Sequence, residues 1–273
     1  MSMGSGKLAL VAGEGTLPLF ILRNLLARGE RPLVYALRAD YSELDLPGAT
    51  LLPVKDVNLV KIFASFALRR VKRVLLAGYV PKTMIYGSSL DREADSLVSG
   101  LADRNDHALL GAVIQRLEKL GILVLGYESV VPEMIVPLGT VAGPEPSSAD
   151  LEDVEYGRKI LGRLLPLSFG QSLVVSKCAV VAVEAMEGTD RTIRRAGGIV
   201  PSGVLVKGMR SDQDRRFDIP VVGGDTLRVM AEAGLSCMAI EAGNGLIVER
   251  EYFVSLANEL GISVIGVEPC PSS

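Results

Sequence analysis

The sequence predicts an α/β chain of two domains, an N-terminal parallel sheet covered on both faces and a C-terminal mixed α/β domain. Three observations predict it. In the first half, short continuous apolar runs alternate with helical patterns, as repeated βα units require. A stretch rich in proline and serine, residues 132–148, then breaks the rhythm. Beyond it, strand patterns follow one another closely enough to need antiparallel as well as parallel pairing. Aromatic residues make up only 5% and Trp is absent, which suits α/β layers better than an aromatic-rich sandwich.

KLALVAG (7–13) is an unbroken apolar run, as in a parallel strand buried on both faces. LPLFILRNLLARG (17–29) follows as a helix, with Pro18 in its first turn and Gly29 as its stop. RPLVYALR, TLLPV, a helix around Leu59–Arg70 and KRVLLAGYV continue the alternation, and a helix over Asp106–Leu120 precedes ILVLG. Together these predict a Rossmann-like domain over residues 1–130. Residues 131–149 read as an interdomain linker, whose last serine caps a helix beginning near Asp150. Residues 150–273 form the second domain. In it SLVV and CAVVAVEA are expected to pair across a hairpin at Ser176-Lys177. GVLVKG, DIPVVG, SCMAIEAGNGLIVER and ISVIGV add strands, with helices at Thr226–Ala233 and Glu251–Leu260.

A net charge of −3 gives no electrostatic footprint for nucleic acid, so no nucleic-acid partner is expected. The three cysteines, Cys178, Cys237 and Cys270, lack CxxC spacing and read as buried free thiols in a reducing cytoplasm. MSMGSG leads straight into a strand, so no signal peptide is expected, and no apolar run approaches the ~20 residues that span a bilayer. His107 is the only histidine, which leaves general acid–base work to carboxylates.

Gly13-Glu14-Gly15-Thr16-Leu17-Pro18 follows the first strand, where backbone and helix N-terminus can meet a phosphate. Pro18 stands where a dinucleotide fingerprint has its third glycine. A tight βα turn and a phosphate loop are both open readings. Asn105-Asp106 reads as a helix cap. The densest polar stretch is Lys207–Thr226: Lys207, Arg210, Arg215 and Arg216 suit phosphate oxygens, and Asp212, Asp214 and Asp218 suit Mg²⁺. Gly223, Gly224 and Thr226 then open a helix, a second phosphate seat. In AVVAVEAMEGTD (179–190), Thr189 and Asp190 fit a helix cap and first turn. Glu184 lies within the apolar run and is left over, because a buried carboxylate must be paired, protonated or metal-bound. Glu241 in CMAIEAGNG poses the same question, and the two tips suggest convergence on one cleft.

GQSLVVSKCAVVAVEAMEGTD, GVLVKG, QDRRFDIPVVGGDT and AGLSCMAIEAGNGLIVERE together resemble the C-terminal domain of the LpxI-type UDP-2,3-diacylglucosamine pyrophosphatases of lipid A biosynthesis. LALVAGEGTLP and DHALLGAVIQRLEKLGILVLG resemble that family's other domain. The resemblance implies a Mg²⁺-dependent hydrolase releasing UMP and 2,3-diacylglucosamine 1-phosphate from UDP-2,3-diacylglucosamine, in a cleft between two domains. It carries the family's essential aspartate to Asp218, its glycine-rich turn to Gly13 and Gly15, its Gly-Gln pair to Gly170 and Gln171, and EGTD to Glu187–Asp190. Arg210-Ser211 stands where the family has Lys-Pro, Asp106-His107 where it has Asp-Asp, and Lys82 where it has arginine.

On this reading Asp218 is general base or direct Mg²⁺ ligand, with Asp190 and Glu187 as further metal ligands. Lys207 and Arg210 steady the phosphates. Gly13, Gly15, Thr16, Gly170, Gln171, Gly188 and Thr189 contact substrate, as do Gln213, Gly223 and Thr226. The expected setting is cytoplasmic, with peripheral contact at the inner-membrane surface and a homodimer as associations. Two other functions fit the residues: a non-catalytic nucleotide-sugar-binding regulator, and an NAD(P)-dependent oxidoreductase built on the first βα turn.

Overall fold

Strands β1 (Lys7–Ala12), β2 (Leu33–Ala36), β3 (Thr50–Pro53), β4 (Val71–Ala77) and β5 (Leu123–Val124) form a parallel sheet in the order β3-β2-β1-β4-β5. This is a computed structural model, and it describes residues 6–55, 57–80, 106–210, 213–216 and 219–271. β1 and β2 are buried along nearly their whole length, as their unbroken apolar runs require. Helices α1 (Leu17–Ala27), α2 (Leu59–Arg69), α3 (Asp106–Lys119) and the single turn α4 (Tyr127–Val130) cover the sheet. α1 buries Ile21, Leu22 and Leu25, while Phe63 and Phe66 of α2 and Ile114 and Leu117 of α3 pack with Ala9, Tyr35 and Val74. Asn58 caps α2 by accepting the Lys61 N–H at 2.8 Å.

The second sheet has the order β6-β13-β11-β9-β7-β8. Its strands are β6 (Gly139–Ala142), β7 (Ser172–Ser176), β8 (Ala179–Val183), β9 (Gly203–Lys207), β11 (Leu235–Glu241) and β13 (Ser263–Val267). β9, β11 and β13 are mutually parallel, whereas β6 and β7 run against their neighbours, so the sheet is mixed. DIPVVG and GLIVER supply only the two-residue strands β10 (Val221–Val222) and β12 (Leu246–Ile247), paired apart from the main sheet. Helix α5 (Ser148–Leu164) covers one face, packing Val154 and Leu161 on Val175, Val204 and Val206. Gly157 makes that approach possible: a Cβ there would lie 2.7 Å from Val206. Helices α6 (Thr189–Gly197), α7 (Gly224–Glu232) and α8 (Arg250–Leu260) cover the other face through Ile193, Leu227, Met230 and Phe253.

Three expectations are corrected. Residues 139–142, within the stretch read as a linker, form β6, because antiparallel pairing with β13 satisfies their backbone. Ser147, not Ser148, caps α5, in a capping box with Asp150. The hairpin turn is Lys177-Cys178, both at φ 54°, as a type I′ turn demands. Neither residue is glycine, and the Asp153 carboxylate holds the turn by accepting the Lys177 N–H at 2.9 Å and the Cys178 N–H at 2.5 Å. Cys178 is therefore exposed rather than buried. Cys237 is buried within β11, and burial pushes its thiol up to about 12.

The chain divides into two compact units, Met1–Pro132 with Asp214–Asp218, and Glu133–Gln213 with Ile219–Ser273. Among the described residues no helix is long and apolar enough to cross a membrane.

Candidate functional site

Side chains alternate along a strand, so Leu205 and Lys207 of β9 share a face, as do Ser172 and Val174 of β7. The register sets Ser172 opposite Lys207 and Val174 opposite Leu205. Leu205 and Val174 lie in the core beneath α6 to α8, which puts Ser172 and Lys207 on that face at the sheet's edge. The C-terminal ends of β8, β9, β11 and β13 lie along this edge, where α/β sheets commonly bind ligands. Just past β8 the backbone continues the ladder, Glu184 donating its N–H to the Ser172 carbonyl at 2.9 Å.

Lys207 is 5% exposed, and its ammonium donates to the Thr189 hydroxyl at 2.8 Å. Burial pushes the ammonium pKa down, while the carboxylates of Glu184 and Asp190 pull the other way. Thr189 does not cap α6, since the cap is Gly188 and makes no side-chain hydrogen bond. Its hydroxyl instead donates to Glu184 Oε1 at 3.1 Å. Asp190, in the first turn of α6, accepts the Thr226 hydroxyl from the first turn of α7 at 3.3 Å. The structure thus brings together Thr189, Asp190, Lys207 and Thr226, with the N-termini of two helices beside a buried cation. Sequence reading missed Ser172; only its place at the mouth of an all-apolar strand marks it.

Glu187 faces elsewhere. Its Oε1 accepts Arg195 at 2.6 Å and the Thr192 hydroxyl at 3.2 Å. The Arg195 hydrogen bond, helped by a backbone one, holds its carboxyl below the usual range. Glu241 is 1% exposed and is a structural clamp rather than a second cleft carboxylate. It accepts the N–H groups of Met209 and Cys270, at 3.2 and 2.8 Å, and the Asn244 amide at 3.0 Å. Gly170 and Gln171 support the edge: a Cβ on Gly170 would lie 2.1 Å from the Glu184 carbonyl oxygen, and the Gln171 carbonyl accepts the Gly208 N–H at 2.9 Å. Arg210 donates its N–H to Gln213 Oε1 at 2.8 Å and its guanidinium to Ser168. Gly223 caps α7.

Asp212 and Asp218 lie outside the described residues, as do Asn105 and Lys82. Arg216 and Asp214 engage each other, Nε to Oδ1 at 2.9 Å and Nη2 to Oδ2 at 2.5 Å, and Arg216 also pairs with Glu118. Among the described residues no three or more His, Cys, Asp or Glu side chains gather as a metal cluster. For Mg²⁺, which takes hard oxygen donors, the half-buried Asp190 carboxylate fits by chemistry and place, whereas Glu187 is committed to Arg195.

In the first unit, the Gly13 N–H donates to the Ala77 carbonyl at 2.8 Å, and Glu14 bridges Tyr79 in both directions. A Cβ on Gly13 would stand 2.4 Å from the Tyr79 carbonyl oxygen, so this glycine serves the clasp between two loops. Gly15 takes φ +95° with open space around it, and Thr16 starts α1 without a side-chain cap. Arg38, at the end of the β2 segment and unforeseen, donates to the Gly15 carbonyl at 3.1 Å and pairs with Glu43 at 2.8 Å.

Two comparisons bear on this architecture. Residues 7–134 match the LpxI N-terminal domain, and residues 137–265 match the LpxI C-terminal domain. The chain is 32% identical to the UDP-2,3-diacylglucosamine pyrophosphatase LpxI of Caulobacter vibrioides, over 96% of this chain and 98% of that protein.

Proposed function

The chain belongs to the LpxI family, and on that premise we propose that it hydrolyses UDP-2,3-diacylglucosamine to UMP and 2,3-diacylglucosamine 1-phosphate in lipid A biosynthesis. It is a diphosphatase. The observation that supports the phosphate-binding part of the reading is Lys207. An ammonium is costly to bury, yet this one is kept at the sheet edge beside the N-termini of α6 and α7, where a polyanion is best received.

Hydrolysis asks three things of the chain: charge neutralisation on the diphosphate, a positioned water, and an acceptor for its proton. Lys207, with Arg210 near it in sequence, supplies cationic donors to the phosphate oxygens. The N-terminal amides of α6 and α7 add fixed dipoles. Asp218 accepts the proton as water oxygen bonds to phosphorus, and the electron pair of the breaking bridge P–O bond leaves on the departing phosphate. Asp190 is the described carboxylate that would hold Mg²⁺, which when bound neutralises phosphate oxygens and acidifies water. On this reading the protein works at the cytoplasmic face of the inner membrane, where a diacylated substrate resides.

The test is purified protein with UDP-2,3-diacylglucosamine and Mg²⁺ or EDTA, followed for UMP. The expected result is UMP release that EDTA stops and Asp218→Ala abolishes while UDP-lipid binding survives. Absence of metal-dependent UMP release refutes the reaction, and near-normal turnover by Asp218→Ala refutes the role of that residue.

A further inference from the structure

Glu184 is the meeting point of a one-way chain of hydrogen bonds. The Ser172 hydroxyl, fully buried, donates to Oε2 at 2.6 Å. The Thr189 hydroxyl donates to Oε1 at 3.1 Å and accepts from Lys207 Nζ at 2.8 Å. A threonine hydroxyl carries a single proton. Committing it to Glu184 turns only lone pairs toward the ammonium, which has three protons to give and no acceptor of its own. The carboxylate therefore sets the direction of each bond as well as offering a counter-charge to Lys207. Its own place is fixed from behind, by the backbone bond to Ser172 and by the close approach of Gly170.

We propose that Glu184 is a positioning residue: through the Thr189 hydroxyl it fixes the Lys207 ammonium at the sheet edge so that the remaining ammonium protons meet the substrate diphosphate. This rests on the pyrophosphatase reading above and adds which group holds the phosphate-binding cation in place. Glu184 itself touches no substrate. The role accounts for a carboxylate whose side-chain partners are the hydroxyls of Ser172 and Thr189.

Glu184→Gln keeps the length and two polar atoms of the side chain but cannot accept both hydroxyl protons, because its amide nitrogen only donates. Misaligning one electrostatic group predicts a fall in kcat of about 10–100-fold with KM changed by less than about threefold. Thr189→Val is expected to lose a similar factor, and Thr189→Ser, which restores the hydroxyl, to recover at least about tenfold of it. The double variant Glu184→Gln/Thr189→Val is expected to be no slower than the slower single, because both cut one chain. Wild-type kcat in Glu184→Gln, or losses that multiply in the double variant, overturns the proposal. Should Glu184→Gln fail to fold, Ser172→Ala decides: a fall of about 3–10-fold supports the chain, and unchanged kcat overturns it. Wild-type protein assayed alongside separates the two claims, since an inert wild type refutes the reaction itself, whereas an active wild type with an indifferent Glu184→Gln refutes only the positioning.

Discussion

Gly170→Ala adds one methyl group where the segment entering β7 lies against the backbone of Glu184. A Cβ at that position lies 2.1 Å from the Glu184 carbonyl oxygen and 2.7 Å from its carbon, and contacts under 3.0 Å essentially never occur. The backbones must therefore part by about 0.9 Å, and neither contact is the far end of a flexible side chain. Gly170 has no left-handed φ, so the effect is steric rather than conformational. Overpacking of this kind costs roughly 1–3 kcal/mol, a melting temperature lower by roughly 2–10 °C for a domain of this size. Because the displaced segment carries Glu184, a shift near 1 Å also predicts a loss of up to about 100-fold in kcat. The assay is UMP release, for kcat and KM separately, beside a thermal melt. A variant with a raised KM, unchanged kcat and unchanged melting temperature would refute this reasoning, and would instead mean that the glycine only makes room for ligand.

Glu187→Gln tests the brace at the start of α6. A carboxylate with a lowered folded pKa contributes stability above its unfolded value, 4.5, and loses it as pH falls through the folded value. The wild-type melting temperature should therefore fall on acidification below about pH 4.5 more steeply than that of the variant, and parallel pH profiles would contradict the assignment. Lys177→Asn/Cys178→Gly places in the β7–β8 turn the residues that accept positive φ most readily. It should stabilise the protein by about 0.5–1 kcal/mol in denaturant titration, after allowance for the freedom glycine gains when unfolded. A lower midpoint would show that the turn is not held as described.

The parallel sheet was legible because buried parallel strands are apolar throughout, a property that survives in a one-dimensional string. Pro18, Gly29 and the ends of α1 and α2 were legible for the same reason, since capping and termination are local. β6 was not: four residues in a Pro-rich stretch become a strand only because β13 offers them a ladder. In sequence Thr189 reads as a cap because its neighbours are local, whereas its partners in the fold, Glu184 and Lys207, lie at the ends of different strands. Glu184 and Glu241 looked alike in sequence. The first faces a buried cation and the second three loop N–H donors, a difference of tertiary surroundings that composition does not carry. Asp153 is the same lesson in reverse: an ordinary helix acid whose partners are two amides in a hairpin tip.

The order of strands in the second sheet also has a consequence for synthesis. β6 is among the first segments of its unit to leave the ribosome, yet its ladder partner is β13, with Gly139 set against Gly266. Until β13 emerges, β6 has an unpaired edge and β11 has one side open. The unit that carries Lys207 therefore closes late, and its last step depends on pairings distant in sequence, the kind that fold slowly. A ribosome stalled before β13 would display an incomplete sheet with β6 still waiting, which makes this interval the one in which a chaperone has most to protect.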